Sequence, residues 1–471
     1  MKYNKKFIDY LNQHSKLVTR RDFMAKGLLS ATAMTTLPTM WNLLQAAEKK
    51  VLKSKSLNTR SVEDVPFLLF DLVGGAALPA NFLVGKQGGP KDYLASYDRL
   101  GWDPKSQNAL DERFGVPMAG GNISKILQGM LQIMSADAQS NLRFATLLHF
   151  ARDDNADNPL SPLALVTRSL SKSGKVISNA MGLRNSASGG FSRLIVNESN
   201  FKPMFVQSLN DLFNALGVGN TFQGFSAESV DAFVKLTSQL SKTQIEEVLR
   251  APANDSTVQF INEKYAGFAS GLADSSNIDP RVDPNAQAVY NINQQNPVNS
   301  PSAVVASLVS GTLQGNLGPS VISISGCDYH TGNQTAGDAK DLEIGLQVGR
   351  AVELAKRYQK PLFFQLITDG GVSSDRGTRV WRTDDGVKCM SVMGYYHPTA
   401  APKYRNQKMQ VGAYTDGQGV NLNTLIGRSP ALASYAAFAN YLNISGKIGD
   451  FEKYAQNIFT SSELDSVLVF E

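Results

Sequence analysis

Two kinds of hydrophobic spacing alternate along this chain, and together they predict an α/β fold. Mainly apolar runs at 66–73, 141–150, 320–325 and 362–367, β-branched at 320–325, read as buried strands. Between the last two, Ile344, Val348, Val352 and Ala355 form one stripe over 341–360, with Glu343, Gln347, Arg350, Glu353 and Arg357 on the other faces. That is the pattern of an amphipathic helix packed on a sheet. Pro361 stops the helix, and Thr368-Asp369-Gly370-Gly371 turns the chain at the carboxyl end of the next strand.

The same reading predicts helices over 123–134, 161–171 and 431–442, the last with Ser429 as N-cap and Pro430 at its first position. Residues 388–396 read as a further strand ending in Tyr395-Tyr396-His397, and 464–470 as a final edge strand. A helical block is expected at 203–272, where Phe205, Leu209, Leu212 and Leu216 make one stripe and Val230, Phe233, Leu240 and Leu249 make another. The polar stretch 273–302 reads as a boundary loop, and 85–121 as an ordered surface region rich in Gly, Pro, Asp and aromatics. There is no internal repeat.

In open α/β sheets, ligands gather beyond the carboxyl ends of the strands. Asp328, His330 and Asp369 are therefore expected to meet in one crevice. In extended backbone, residues i and i+2 point the same way, so the Asp328-Tyr329-His330 spacing can offer an oxygen and a nitrogen to one cation. A plainer alternative has His330 bonded to a turn and Asp328 serving as a cap. The strand at 141–150 delivers His149 to the same edge, either for chemistry or as a satisfied core residue. The acidic run Asp153, Asp154, Asn155, Asp157 and Asn158 has the composition of a calcium loop without its spacing, and reads as a solvated loop.

Charge changes the picture at the N-terminus. The 471 residues carry a net charge of +5, but residues 1–60 hold twelve Lys and Arg against three acids, so the remainder is acidic by four. An acidic body argues against nucleic acid as a partner. Thr19-Arg20-Arg21-Asp22-Phe23-Met24-Ala25-Lys26 resembles a twin-arginine export motif, followed by a weakly apolar stretch, Pro38 and the small residues Ala46 and Ala47. This predicts a signal peptide at 1–47, a linker at 48–64 and a main domain at 65–471, with the twin-arginine translocase as export partner and the periplasm or exterior as destination. No stretch approaches the roughly 18 apolar residues of a membrane span, so the mature protein is expected to have none. Cys327 and Cys389 are the only cysteines, too few to decide between a disulfide and two thiols.

The order of these features resembles the exported proteins of unknown function within the alkaline phosphatase and sulfatase superfamily. The resemblance runs from a strand ending in Gly74-Gly75, through Gly326-Cys327-Asp328-Tyr329-His330 and the turn at Asp369-Gly370-Gly371, to Thr383-Asp384-Asp385-Gly386. It implies a three-layer αβα fold with a mostly parallel central sheet and a helical insertion. It also implies a metal site drawn from Asp328, His330, Asp369, Asp384 and Asp385. Such an oxygen-rich set suits Ca²⁺, Mg²⁺ or Mn²⁺ at least as well as Zn²⁺. His149 and His397 are the candidate acid–base residues, since His14 leaves with the signal peptide. Arg376, Arg379 and Arg382 could clamp an anion or simply be solvated.

Two departures stand out. The aspartate expected after the first Gly-Gly is replaced by Ala76-Ala77, with Asp71 an imperfect substitute, and no Ser or Thr follows in the nucleophile position. The resemblance thus implies either a metal-dependent hydrolase of phosphate or sulfate esters acting on an anionic small molecule or glycan, or a non-catalytic relative that binds or assembles at the envelope.

Overall fold

Mainly apolar runs are satisfied by burial on both faces, and these runs form the heart of a mixed α/β structure. The computed structural model describes residues 64–86, 92–103, 110–151, 159–170, 180–183, 203–215, 278–375 and 377–471. They belong to one compact unit, Val62–Thr221 with Asp274–Glu471. The expected leader, nearly all of the expected linker, the acidic run at 153–158 and most of the expected helical block lie outside the described residues.

The strands are β1 (Phe67–Val73), β2 (Leu110–Asp111), β3 (Met118–Ala119), β4 (Leu142–Leu148), β5 (Met181–Gly182), β6 (Met204–Phe205), β7 (Ser320–Ser325), β8 (Leu362–Thr368), β9 (Val372–Ser374), β10 (Trp381–Asp384), β11 (Met390–Tyr396) and β12 (Gln410–Val411). Eight of them form the central sheet in the order β12-β4-β11-β8-β1-β7-β5-β6. All run parallel except β11, which opposes both β4 and β8. The centre of the sheet is therefore β8-β1-β7, whose carboxyl ends carry Thr368, Gly74 and Gly326 to one edge.

The principal helices are α1 (Lys125–Ile133), α2 (Leu163–Ser169), α3 (Leu209–Ala215), α4 (Pro284–Tyr290), α5 (Pro301–Leu313), α6 (Gln334–Tyr358), α7 (Pro430–Ile444) and α8 (Ser461–Val467). Alternate residues of β1 meet different partners. Phe67 packs edge-on against Tyr441 of α7 at 5.8 Å, and Phe363 of β8 meets the same ring at 5.9 Å. Leu68 registers with Ser320, whose hydroxyl bonds the Thr312 hydroxyl of α5 at 2.7 Å. Helices α1 and α6 approach backbone to backbone, since a Cβ on Gly345 would stand only 2.1 Å from the Ile126 carbonyl oxygen. No side chain larger than hydrogen fits there.

Five expectations change. Helix α6 begins at Gln334, seven residues before the expected start at 341, because Asn333 caps it by accepting from the Ala336 amide at 3.1 Å. The tail is not a strand: Thr460 and Glu463 form a capping box that starts α8, and Phe470 makes only an isolated bridge to Tyr404. The segment at 203–272 opens with strand β6 before α3. Within the polar boundary, Asp283 caps α4 with Pro284 at its first position. Three of the four aromatics of 85–121 are internal, since Tyr97, Trp102 and Phe114 are buried.

Candidate metal centre

Three strand exits are stitched together before any donor is placed. Gly74 has φ +115°, and a Cβ there would lie 2.6 Å from the Asp328 amide nitrogen. Only glycine lets the turn after β7 seat against the end of β1. The Cys327 amide then donates to the Val73 carbonyl at 3.0 Å and the Tyr329 amide to the Gly75 carbonyl at 3.3 Å. Thr368 closes the other side: its hydroxyl donates to the Gly74 carbonyl at 2.5 Å and accepts from the Ala76 amide at 2.8 Å.

On that footing, Asp328 leads into a single helical turn, Tyr329–Thr331, which holds His330. Asp384 arrives on the antiparallel ribbon β9–β10, pinned by the buried Trp381. Asp328, His330 and Asp384 each offer one ligand atom, and these atoms lie within 4.8 Å of one another. His330 Nδ1 bonds Asp328 Oδ1 and stands 3.2 Å from Asp384 Oδ1. The side chains are 41%, 51% and 38% exposed for His330, Asp328 and Asp384, so the group opens to solvent.

This donor set fits a divalent cation. Two carboxylate oxygens and an imidazole nitrogen converge from a small region, and three protein donors leave coordination positions open, as catalytic rather than structural sites do. With a neutral imidazole the group carries two negative charges, which a divalent cation would neutralise.

The other expected site residues do not join this group. Asp369 is buried at the end of β8. Asp385 accepts from the Val387 amide at 3.1 Å and the Ser373 hydroxyl at 3.1 Å, capping the short turn Gly386–Lys388. Asp71 sits buried within β1 and accepts from the Ser323 hydroxyl at 3.3 Å.

His149 lies past β4 on the expected edge but is fully buried, with Nε2 against the Ser391 hydroxyl at 2.7 Å and Nδ1 against the Phe150 carbonyl at 3.1 Å. Burial pulls its pKa down to about 4. The reversed direction of β11 takes His397 to the opposite edge of the sheet, since Tyr396 registers with Leu362 at the start of β8. Seven residues of β8 separate the two edges by roughly 20 Å.

Arg379 is no solvated clamp. It is buried and paired with Asp338 and Asp341 at 2.7 Å each. Arg382 pairs with Asp375 in solvent at 3.2 Å, and Arg376 lies outside the described residues. Cys327 and Cys389 are separate buried thiols, the first donating to the Ile324 carbonyl at 3.4 Å and the second to the Thr368 carbonyl at 3.7 Å. Burial pushes the Cys327 thiol far up.

Sequence reasoning overlooked Asp341. Its two oxygens accept from the Tyr329 hydroxyl (2.8 Å), the Asn81 amide (2.9 Å) and the Arg379 guanidinium (2.7 Å). Burial pushes its carboxyl up, against the pull of Arg379 and the bonds from Asn81 and Tyr329. A readable signal existed: Asp341 lies three and seven residues before Ile344 and Val348, on the buried stripe of α6, where a charge demands a partner.

Among the described residues, no helix is long and apolar enough to cross a membrane. No family model, curated protein or solved structure matches the chain.

Proposed function

We propose that this chain binds one divalent cation through Asp328, His330 and Asp384 and acts on anionic phosphate or sulfate esters as a metal-dependent hydrolase. The observation that carries this reading is the convergence of three donors from two separate segments at the open carboxyl edge of a mostly parallel sheet. The cation would supply Lewis acidity toward a phosphoryl or sulfuryl oxygen. The chain supplies the donors, an exposed side from which an ester can reach them, and a charge balance that admits an anion only when the cation is present. With Ala76 after Gly74-Gly75 and the Thr368 hydroxyl held by backbone, attack falls to water rather than to a side chain at that position.

The opposite parities of β1 toward α7 and α5 support a three-layer αβα frame, with the segment near 203–272 as its insertion. The Arg20-Arg21 leader supports export by the twin-arginine route to the periplasm or beyond. A second reading, a non-catalytic relative with one cation that binds at the envelope, is favoured by Ala76 and by the use of Asp385 as a cap.

The two are separated by elemental analysis of purified protein beside the Asp328→Ala/His330→Ala variant, with p-nitrophenyl phosphate and sulfate turnover on the same samples. Near-stoichiometric metal and turnover, both lost in the variant, are expected for the hydrolase. Metal without turnover selects the second reading, and wild-type protein that takes up no added Mn²⁺ or Zn²⁺ overturns both.

A further inference from the structure

The three donors belong to two segments of the chain, which meet where His330 Nδ1 approaches Asp384 Oδ1 at 3.2 Å. Asp328 and His330 lie on the turn after β7, and Asp384 lies at the base of the β9–β10 ribbon, paired with Val372 in a separate two-stranded sheet. A cation site needs their separation fixed to a fraction of an ångström. Asp341 bonds to both segments. Tyr329, between Asp328 and His330, donates to Asp341 Oδ1, and Arg379, five residues before Asp384, donates to Asp341 Oδ2.

The junction is closed and well supported. Asp341 is 1% exposed and Tyr329 is 2% exposed. Asn81 donates to Asp341 and accepts from the Ser124 hydroxyl at 2.8 Å, and Ser124 is the N-cap of α1, accepting from the Leu127 amide at 3.1 Å. Arg379 also reaches the Ala80 carbonyl at 3.3 Å and lies over the Trp381 ring at 5.8 Å. Trp381 in turn packs beside Gly337, in the first turn of the helix that carries Asp341. Helix α6 thus holds the turn through one carboxylate oxygen and the ribbon through the other.

We infer that Asp341 is a positioning residue that sets the spacing between the two ligand-bearing segments, and so assembles the cation site without touching it. This rests on the reading of Asp328, His330 and Asp384 as cation donors. Partners that orient metal ligands are typically worth about 10–100-fold in metal affinity.

The test uses the full chain, wild type and Asp341→Asn, Tyr329→Phe and Asp338→Asn, with two readouts. Hydrogen–deuterium exchange on chelator-treated protein needs no metal, and Mn²⁺ titration followed by electron paramagnetic resonance reads affinity. Asp341→Asn is expected to speed exchange in 327–332 and 380–385 together, leaving the central strands protected, and to weaken Mn²⁺ about 10–100-fold. Tyr329→Phe should loosen 327–332 alone. Asp338→Asn, which removes only the outer partner of Arg379, should change Mn²⁺ affinity by less than about threefold.

Exchange that stays at wild-type rates in either segment of Asp341→Asn, or that rises evenly across the sheet, overturns the inference. So does an Asp338→Asn variant that reproduces Asp341→Asn. If Asp341→Asn does not fold, Tyr329→Phe decides: unchanged exchange in 327–332 overturns the proposal, and selective loosening supports it. Wild-type protein that ignores Mn²⁺ removes the cation reading, while the exchange pattern still decides whether Asp341 joins the two segments.

Discussion

Asp341 and Asp328 are linked through Tyr329, yet they are opposite kinds of carboxylate. Asp341 is sealed, accepts from three donors and faces a buried guanidinium; Asp328 stands half in water beside an imidazole. The difference lies in what each charge loses on folding. A buried carboxylate gives up its hydration and is tolerable only while every partner stays in place, so it acts as a fixed joint. An exposed carboxylate keeps most of its water and can exchange one partner for another, which is the property a ligand needs. The two histidines repeat the contrast, His149 enclosed with both nitrogens engaged and His330 open to solvent.

Breaking the joint should have the largest effect. Arg379→Ala leaves Asp341 buried with only neutral donors and also removes the bonds to Asp338 and the Ala80 carbonyl. Removing one member of a buried pair typically costs about 3–5 kcal/mol. Urea denaturation at neutral pH should show a loss of that order. A loss below about 1 kcal/mol would mean that water already reaches Asp341, and the contrast with Asp328 would weaken.

The enclosed histidine gives the next effect, through pH. The folded state holds His149 neutral, with a pKa near 4 against 6.5 for the free side chain. Between those values the unfolded chain binds the proton and the folded one does not, so stability is full above pH 6.5 and falls as the pH drops toward 4. At 1.36 kcal/mol per unit the full loss is about 3 kcal/mol. Denaturation of wild type and His149→Gln across pH 4–7.5 should give curves that converge in acid, because the variant lacks this proton uptake. Parallel curves would show that His149 takes up its proton within the fold, as an accessible acid–base group does.

How far the sequence disclosed this molecule follows the same division. Strands β1, β4, β7, β8 and β11 were readable because burial fills most of their positions with apolar residues. Asp328 and His330 were readable because they share one local turn. Asp384 came only through the resemblance of Thr383-Asp384-Asp385-Gly386, and the structure draws it in beside them while Asp385 becomes a cap. The direction of β11 was hidden, since an apolar run reads equally well in a parallel or an antiparallel place, and that direction alone separates His397 from the site. The Arg379–Asp341 pair was hidden too, because pairing across 38 residues depends on how the ribbon folds back over α6. The early start of α6 and the helical tail were missed for another reason: both are set by caps, Asn333 and Thr460-x-x-Glu463, and not by apolar stripes.

The smallest effect on stability should come from the site itself. Asp328→Ala removes a side chain that is 51% exposed and bonded chiefly to a half-exposed histidine. Exposed pairs of this kind contribute about 0–1 kcal/mol, and the substitution also relieves the repulsion between two carboxylates facing one imidazole. In chelator-treated protein the change should fall within about 0.5 kcal/mol by urea denaturation. With saturating Mn²⁺ the wild type should gain stability by mass action, and the variant should not, because binding to the folded state alone is what shifts the midpoint. The sign of that second difference is the sharper observation. A variant that loses more than about 2 kcal/mol without metal would make Asp328 a structural joint like Asp341, and the open corner would then be a piece of the scaffold.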